Sequence, residues 1–296
     1  MPLDSGLLDT FVAVVDCGRI SAAARRLCLS QPAVTARIRR LEDAVGGPLL
    51  LRSAQGVTPT PSGDRLLGYA REVQRLLDDA LAHCGPAERL GPLELIASTT
   101  LAAHVLPPLL ARFRARHQQV ALRIESGNTD EAVAAVRSGR FPLGVVEGHA
   151  RASGLRLEPW LDDEIVPVAG ARAPFAPRTI AELAALPILW REPGSGTRAV
   201  VARALRTGGV RNRPEPIDLV LGSTDAIAGA AAAGLGIAFL SRWSLGPHLA
   251  AGLLRVLPGL DLTVRRTFRF ALPAGGLGGT AAHFVDFARR NPPSIV

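Results

Sequence analysis

The stretch Arg19-Ile20-Ser21-Ala22-Ala23-Ala24-Arg25-Arg26-Leu27, then Ser30-Gln31-Pro32-Ala33-Val34-Thr35, then Ile38-Arg39-Arg40-Leu41-Glu42, decides how the chain is read. Ser21 is placed to cap a first short helix, and the alanines after it are strong helix formers. Ala23 and Leu27 are four apart and share a face. Ser30 is placed to cap a second helix whose first turn holds Pro32, where a missing N–H is harmless. Val34, Ile38 and Leu41 follow at spacings of four and three, which makes them an inward stripe. Gln31, Pro32, Thr35, Ala36 and Arg39 are left outside it. Two short helices in this order have the form of a helix-turn-helix, whose second helix lies in the DNA major groove. Gln pairs with adenine edges, Thr meets thymine, and Arg reads guanine or neutralises phosphate. An ordinary amphipathic pair with a solvated basic face has the same pattern.

Charge separates the two readings. From Cys17 to Thr58 seven arginines face only Glu42 and Asp43, a net +5, whereas residues 1–90 as a whole carry +1. Positive charge is concentrated where the groove-facing helix is expected, as a nucleic-acid footprint requires. All 34 basic residues are arginine, so arginine richness by itself also fits a biased composition. The 296 residues are 48% hydrophobic and 20% charged, enough for two or three packed units.

The segment resembles the N-terminal domain of the LysR-type transcriptional regulators. The resemblance rests on Phe11, Val14, Gly18, Ser21, Ala23, Ala24, Leu27, the run from Ser30 to Thr35, Ile38, Leu41, Glu42, Gly46, Pro48, Leu49 and Arg52, with Thr60 and Gly63 at the wing exit. Two positions depart from that pattern: Leu50 stands where the family usually has Phe, and Ala36 where a polar residue is common. The resemblance implies a winged helix-turn-helix over residues 1–61, with Ser30, Gln31, Pro32, Thr35, Arg37, Arg39, Arg40 and Arg52 at double-stranded promoter DNA.

After Thr58-Pro59-Thr60-Pro61, read as a turn, a helix is expected from Ser62. Leu66, Ala70, Val73, Leu77, Ala80 and Cys84 repeat at spacings of four and three, the seam of a coiled coil. The stripe either packs on its own domain or meets a second copy. The resemblance implies a dimerising linker helix over residues 62–90, in a homodimer or homotetramer.

From Leu93 strands and helices alternate, which predicts α/β units on a mostly parallel sheet. The expected strands are 93–97, 121–125, 143–146, 164–169, 187–189, 217–221 and 237–240; the expected helices are 102–116, 129–138, 180–186, 198–207 and 225–233. The resemblance implies a two-lobed effector-binding domain of periplasmic-binding-protein type over residues 91–296. Its first lobe takes 91–162 and 267–296, re-entered by a strand at 267–272 and a helix at 281–290, and its second takes 163–266. Pro142 stands where the family usually has Asp. Ligands in such sheets bind beyond the strand ends, at helix N-termini. The loops there carry Ser98, Thr99 and Thr100; Asn128 and Thr129; Glu147 and Gly148; Ser195, Gly196 and Thr197; and Ser223 and Thr224. Hydroxyls and helix dipoles converging on a cleft favour a small anion. Taken singly, each of these residues also reads as a helix cap. The stretches around Asn128, Glu147 and Ser195 resemble LysR-type effector domains, a subset of which responds to oxyanions or phosphorylated metabolites.

Enzyme and metal readings find no support. Gly-x-Ser-x-Gly is absent, the six histidines lack zinc-helix spacing, and Gly234-Leu235-Gly236 lacks the third glycine of a dinucleotide fingerprint. Neither metal nor cofactor is expected. Cys17, Cys28 and Cys84 show no metal-ligand pairing and are expected as buried thiols, with a redox role for Cys84 the other reading. Asp4 and Asp9 interrupt the first apolar segment, so neither a signal peptide nor a membrane span is expected, and the compartment expected is the cytoplasm. The function expected is DNA-binding regulation modulated by a small anionic effector, with an RNA polymerase contact possible. The other reading is a solute sensor that does not act on DNA.

Overall fold

The computed structural model describes residues 3–53, 55–84, 90–148, 153–210, 219–260, 262 and 264–295. It divides into two compact units, Met1–Gly91 with Arg137–Pro142, and Pro92–Val136 with Leu143–Val296.

The first unit opens with α1 (Ser5–Cys17), α2 (Ile20–Arg26) and α3 (Gln31–Val45). Ser30 caps α3, its Oγ accepting from the Ala33 N–H, and Gly46 ends it at a left-handed φ of 83°. The cap expected at Ser21 is corrected: α2 begins two residues earlier, at Ile20, with Arg19 in the N-cap position and no side-chain cap. Ala23, Val34, Ile38 and Leu41 are fully buried with Phe11 and Val14 of α1 in one core. Each of the larger side chains (Val34, Ile38, Leu41, Phe11 and Val14) contributes about 1.5–3 kcal/mol by leaving water. The expectation of buried thiols fails at Cys28, which is exposed in the turn between α2 and α3 at a φ of 54°. Cys17 is half-buried.

A two-stranded wing follows, β1 (Leu50–Ser53) antiparallel to β2 (Gly56–Pro59). Thr58 and Pro59 therefore close a strand rather than form the expected turn; the pairing of Leu50 with Pro59 holds them extended. The carboxylate of Glu42 on α3 accepts from the N–H groups of Leu49 and Leu50 at 2.9 and 3.3 Å, tying the wing to the helix. Thr60 donates to the Pro48 carbonyl at 2.9 Å and accepts from the Gly63 N–H at 3.0 Å, where α4 (Pro61–Cys84) begins. A Cβ on Gly63 would lie 2.1 Å from the Leu49 carbonyl oxygen. Gly63→Ala is thus expected to cost about 1–3 kcal/mol or more in urea denaturation. Gly47→Ala, with nothing within 4 Å of the new methyl, is the control, and equal midpoints for the two variants would contradict the packing.

The seam expected along α4 is divided. Leu66, Ala70 and Val73 belong to the core of the first unit, with Ala70 fully buried, because the start of the helix lies on α1. Leu77 and Ala80 are exposed, and the side chain of Cys84 lies outside the described residues. Among the described side chains of α4, the large apolar ones left in solvent are Tyr69, Leu76 and Leu77, at 69%, 59% and 49% exposure.

The second unit is built on one nine-stranded sheet. In chain order its elements are β3 (Leu93–Ser98), α5 (Leu106–Arg116), β4 (Leu122–Gly127), α6 (Thr129–Arg137), β5 (Gly144–Glu147) and β6 (Leu155–Gly170). Then come α7 (Ile180–Ala184), β7 (Ile188–Arg191), α8 (Gly196–Thr207), β8 (Leu219–Leu221), α9 (Thr224–Ala232) and β9 (Ile237–Ser241). α10 (Arg242–Ala250), β10 (Leu254–Val256), β11 (Val264–Pro273) and α11 (Gly279–Arg290) complete it. The strand order is β4-β3-β5-β11-β6-β9-β7-β8, with β10 also on β6.

The mostly parallel sheet is corrected to a mixed one. β3 runs parallel to β4 and β5, and β7 parallel to β8 and β9. The long strands β6 and β11 between these groups pair antiparallel with each other and with their neighbours. Both proposed lobe boundaries, after 162 and after 266, fall inside these strands, so the parallel groups share a two-stranded spine. A five-residue π-helix, Leu101–Val105, precedes α5 within what was expected as one helix.

Candidate functional site

On the first unit, α3 turns Val34, Ile38 and Leu41 inward and presents Gln31, Pro32, Thr35, Ala36 and Arg39 around a concavity of about 600 Å³. Gln31, Pro32, Arg39 and Arg40 are exposed, as is Ser30 at the helix start. Arg52 is exposed on the wing strand β1. Arg37 departs from the expectation: it is half-buried, and its guanidinium donates to the Thr10 hydroxyl of α1 at 3.3 Å. Position 37 lies on the side of α3 facing α1, so Arg37 braces the helix rather than joining the Gln31–Thr35–Arg39 face.

In the second unit the predicted loops do converge. The hydroxyls of Thr99 and Thr100, after β3, lie 3.3 and 3.2 Å from the Thr224 hydroxyl at the start of α9. Thr224 also accepts from the Arg191 guanidinium at 3.0 Å, which Glu192 holds from its other side at 2.8 and 2.9 Å. Glu147, closing β5, accepts from the Thr197 hydroxyl of α8 at 2.9 Å and from Arg266 of β11. Arg266 donates in turn to Asp163 of β6 at 2.7 Å, and Ser241 donates to the same carboxylate at 2.7 Å. Glycines permit the close approach. A Cβ on Gly196 would lie 2.6 Å from the Glu147 carbonyl oxygen and 2.7 Å from the Thr129 hydroxyl; one on Gly194 would lie 3.0 Å from Asn128. Gly148, buried with a φ of 67°, turns the chain after Glu147.

The capping reading holds for three of the predicted residues. Asn128 accepts from the Glu131 N–H at 3.0 Å, Ser195 from Arg198 at 3.4 Å and Ser223 from Ala226 at 3.1 Å. Ser98 and Thr129 are different: both hydroxyls are buried without a hydrogen-bond partner among the described residues.

Electrostatics turn on Arg266, whose side chain is wholly buried with Asp163 and nearly so with Glu147. Burial works to raise the pKa of Glu147, but the Arg266 charge, the Thr100 and Thr197 hydroxyls and the Arg191 charge outweigh it, so the pKa is lowered. Burial prevails at Asp163, whose pKa is raised despite Arg266 and the Ser241 hydroxyl, with Glu147 adding to the rise. Arg191, Arg266 and Asp163 were not among the predicted site residues. Arg191 ends β7 just before the Ser195 helix start, a strand-end position that was a usable signal. Nothing local marked the other two.

Residues 6–64 match the family described as bacterial regulatory helix-turn-helix protein, lysR family, and residues 86–292 the LysR substrate binding domain. The chain belongs to the LysR family. It is 32% identical over 269 residues to the HTH-type transcriptional regulator CysL of Bacillus subtilis, with 89% of each chain covered. It is 32% identical over 291 residues to the uncharacterized HTH-type transcriptional regulator YeiE of Escherichia coli, covering 95% of each. Among solved structures, ArgP from Mycobacterium tuberculosis superposes with a TM-score of 0.78 at 24% identity, covering 98% of this chain and 97% of that one, a likeness of fold. This LysR-family chain is a DNA-binding transcriptional regulator with an effector-binding domain. The family is one of regulators rather than enzymes. Among the described residues no helix is long and apolar enough to cross a membrane.

Proposed function

We propose that this LysR-family regulator reads a promoter through the Gln31–Thr35–Arg39 face of α3. A small anion bound at the Thr100–Glu147–Thr197–Thr224 convergence modulates that binding. The observation that carries the reading is the contrast between the two faces of α3, with Val34, Ile38 and Leu41 fully buried on one and Gln31, Arg39 and Arg40 exposed on the other. Exposed Tyr69, Leu76 and Leu77 on α4 suit a matching helix from a second copy, giving a dimer, or a tetramer built from dimers, with two reading heads. The domain division follows: 1–61 binds DNA, 62–90 links and dimerises, and 91–296 senses.

The effector acts only through its different affinity for the two lobe arrangements. A protein working on promoter DNA works in the compartment that holds it, so we place it in the cytoplasm, with no catalytic activity of its own. RNA polymerase is the partner an activator of this kind would touch. The test is fluorescence anisotropy of the full chain on a duplex from its own promoter across a salt series. The expected result is a linear fall of log affinity with log salt, with a slope of about −0.9 per phosphate neutralised. Affinity that ignores salt, or no binding to duplex at low salt, would overturn the reading.

A further inference from the structure

The outward side of α3 consists of two adjacent rows. Gln31, Thr35 and Arg39 follow one another by a turn in the first, and Pro32, Ala36 and Arg40 do so in the second. The first row can donate and accept hydrogen bonds along its whole length. The second starts differently. Pro32 and Ala36 are both exposed and line the same concavity as Gln31, Thr35 and Arg39, yet neither side chain carries a polar atom. Pro32 has no backbone N–H to offer either. The fully buried Val34, Ile38 and Leu41 on the other side of the helix fix this pair outward.

Against a base edge such a pair discriminates by what it cannot do. Purine N7 and O6, thymine O4 and the amino groups of adenine and cytosine each need a hydrogen-bonding partner once water is displaced, and Pro32 and Ala36 supply none. The one apolar group on the major-groove edge is the C5 methyl of thymine. We infer that Pro32 and Ala36 form a seat for that methyl, so that this chain specifies a thymine by apolar contact beside the bases that the Gln31–Thr35–Arg39 row reads through hydrogen bonds. The inference rests on the proposed reading of DNA by α3 and adds which base the second row selects. Neither side chain has rotamer freedom to lose on binding, so the contact is gained without an ordering cost. A longer side chain at position 36 would cover the seat and hold the helix away from the base.

Uracil is thymine without the methyl, and 5-methylcytosine carries the same methyl on a base with a different hydrogen-bonding pattern. The test is fluorescence anisotropy of the full chain on a promoter duplex in which each thymine of one half-site is replaced in turn by uracil. At one thymine the affinity should fall about fourfold, the worth of one buried methyl-sized group, and it should hold at the others. At that base pair C·G in place of T·A should weaken binding, and methylating the cytosine at C5 should recover about fourfold. In Ala36→Gly the thymine-to-uracil difference should shrink to about twofold or less, whereas Gln31→Ala and Thr35→Ser should keep it, as a double-mutant cycle requires for a direct contact.

Uracil tolerated at every position overturns the inference; if Gln31→Ala still loses discrimination at one base pair, the reading of DNA by α3 survives that failure. A uracil effect undiminished in Ala36→Gly also overturns it. Loss of that effect in Thr35→Ser would then give the methyl to Thr35, and its survival there would assign it to the shape of the duplex. No binding of the wild type to the duplex at low salt overturns both. Should Ala36→Gly fail to fold, the wild type decides the matter alone, through recovery or no recovery by 5-methylcytosine.

Discussion

Arg266→Met is expected to lower the stability of the effector-binding unit by about 3–5 kcal/mol at pH 7, since removing one partner of a buried ion pair leaves uncompensated charge behind. Here two carboxylates are stranded, because Glu147 and Asp163 both lean on the one guanidinium. The pH dependence makes the prediction sharper. In the wild type Glu147 has a lowered pKa, so its contribution is present above the unfolded value of about 4.3 and is lost as pH falls through the folded value. Asp163 has a raised pKa and works the other way: it weakens the fold above its folded value, and acidification relieves the penalty. The two tendencies offset in the wild type. Without Arg266 both carboxyls are governed by burial and both pKa values rise. The variant therefore regains stability relative to wild type between pH 7 and pH 5. Urea denaturation at the two pH values, followed by a probe in the second unit, measures this. A gap between the proteins that stays constant or widens on acidification would contradict the account.

The second large effect is on DNA. Arg39→Glu removes a contact worth about 1–3 kcal/mol and replaces attraction to phosphate by repulsion. In a dimer with two heads each loss is counted twice, giving about 2–6 kcal/mol, or roughly 30-fold to 10⁴-fold in affinity for the full operator. Arg37→Ala gives the comparison. Arg37 faces α1 through its bond to Thr10, so its removal should alter stability before affinity. Anisotropy titrations at one fixed salt concentration separate the two. Equal losses of affinity in folded Arg37→Ala and Arg39→Glu proteins would show that the face of α3 is misassigned.

What the amino-acid order revealed, and what it hid, follows the range of the interactions involved. The reading of α3 was available because its signals are local: a Ser cap, a proline in the first turn and a three-four apolar repeat within fifteen residues. The hydroxyl loops were legible for the same reason, since strand ends and helix starts are marked within a few residues. β6 was half missed. Its early part contains Pro159, which a central strand rarely tolerates, but the ladder shifts register opposite Phe268 and Arg269 and absorbs it there. α10 was missed altogether, because Gly246-Pro247 reads as a break; nine helical residues form around it nonetheless.

The ion network at Arg266 was invisible for a more basic reason. Arg266 and Asp163 are direct partners in the β6–β11 register and lie 103 residues apart along the chain. Glu147 is 119 residues from Arg266, and no periodicity in a single sequence reports a pairing of that range. The seam of the linker helix is ambiguous at the opposite scale. Its three-four repeat was real, but Ala70 and its neighbours face the core of their own unit, and periodicity does not say which surface a stripe will meet.

The central claim is that the open face of α3 reads base edges. Its most direct measurement is a binding series of wild type and Gln31→Ala on a promoter duplex and every single-base variant of one half-site. The expected result is that Gln31→Ala abolishes discrimination at one base pair, worth about 1–3 kcal/mol, and leaves the preference at all other positions unchanged. A uniform loss across the whole panel, or a profile identical to wild type, would contradict it.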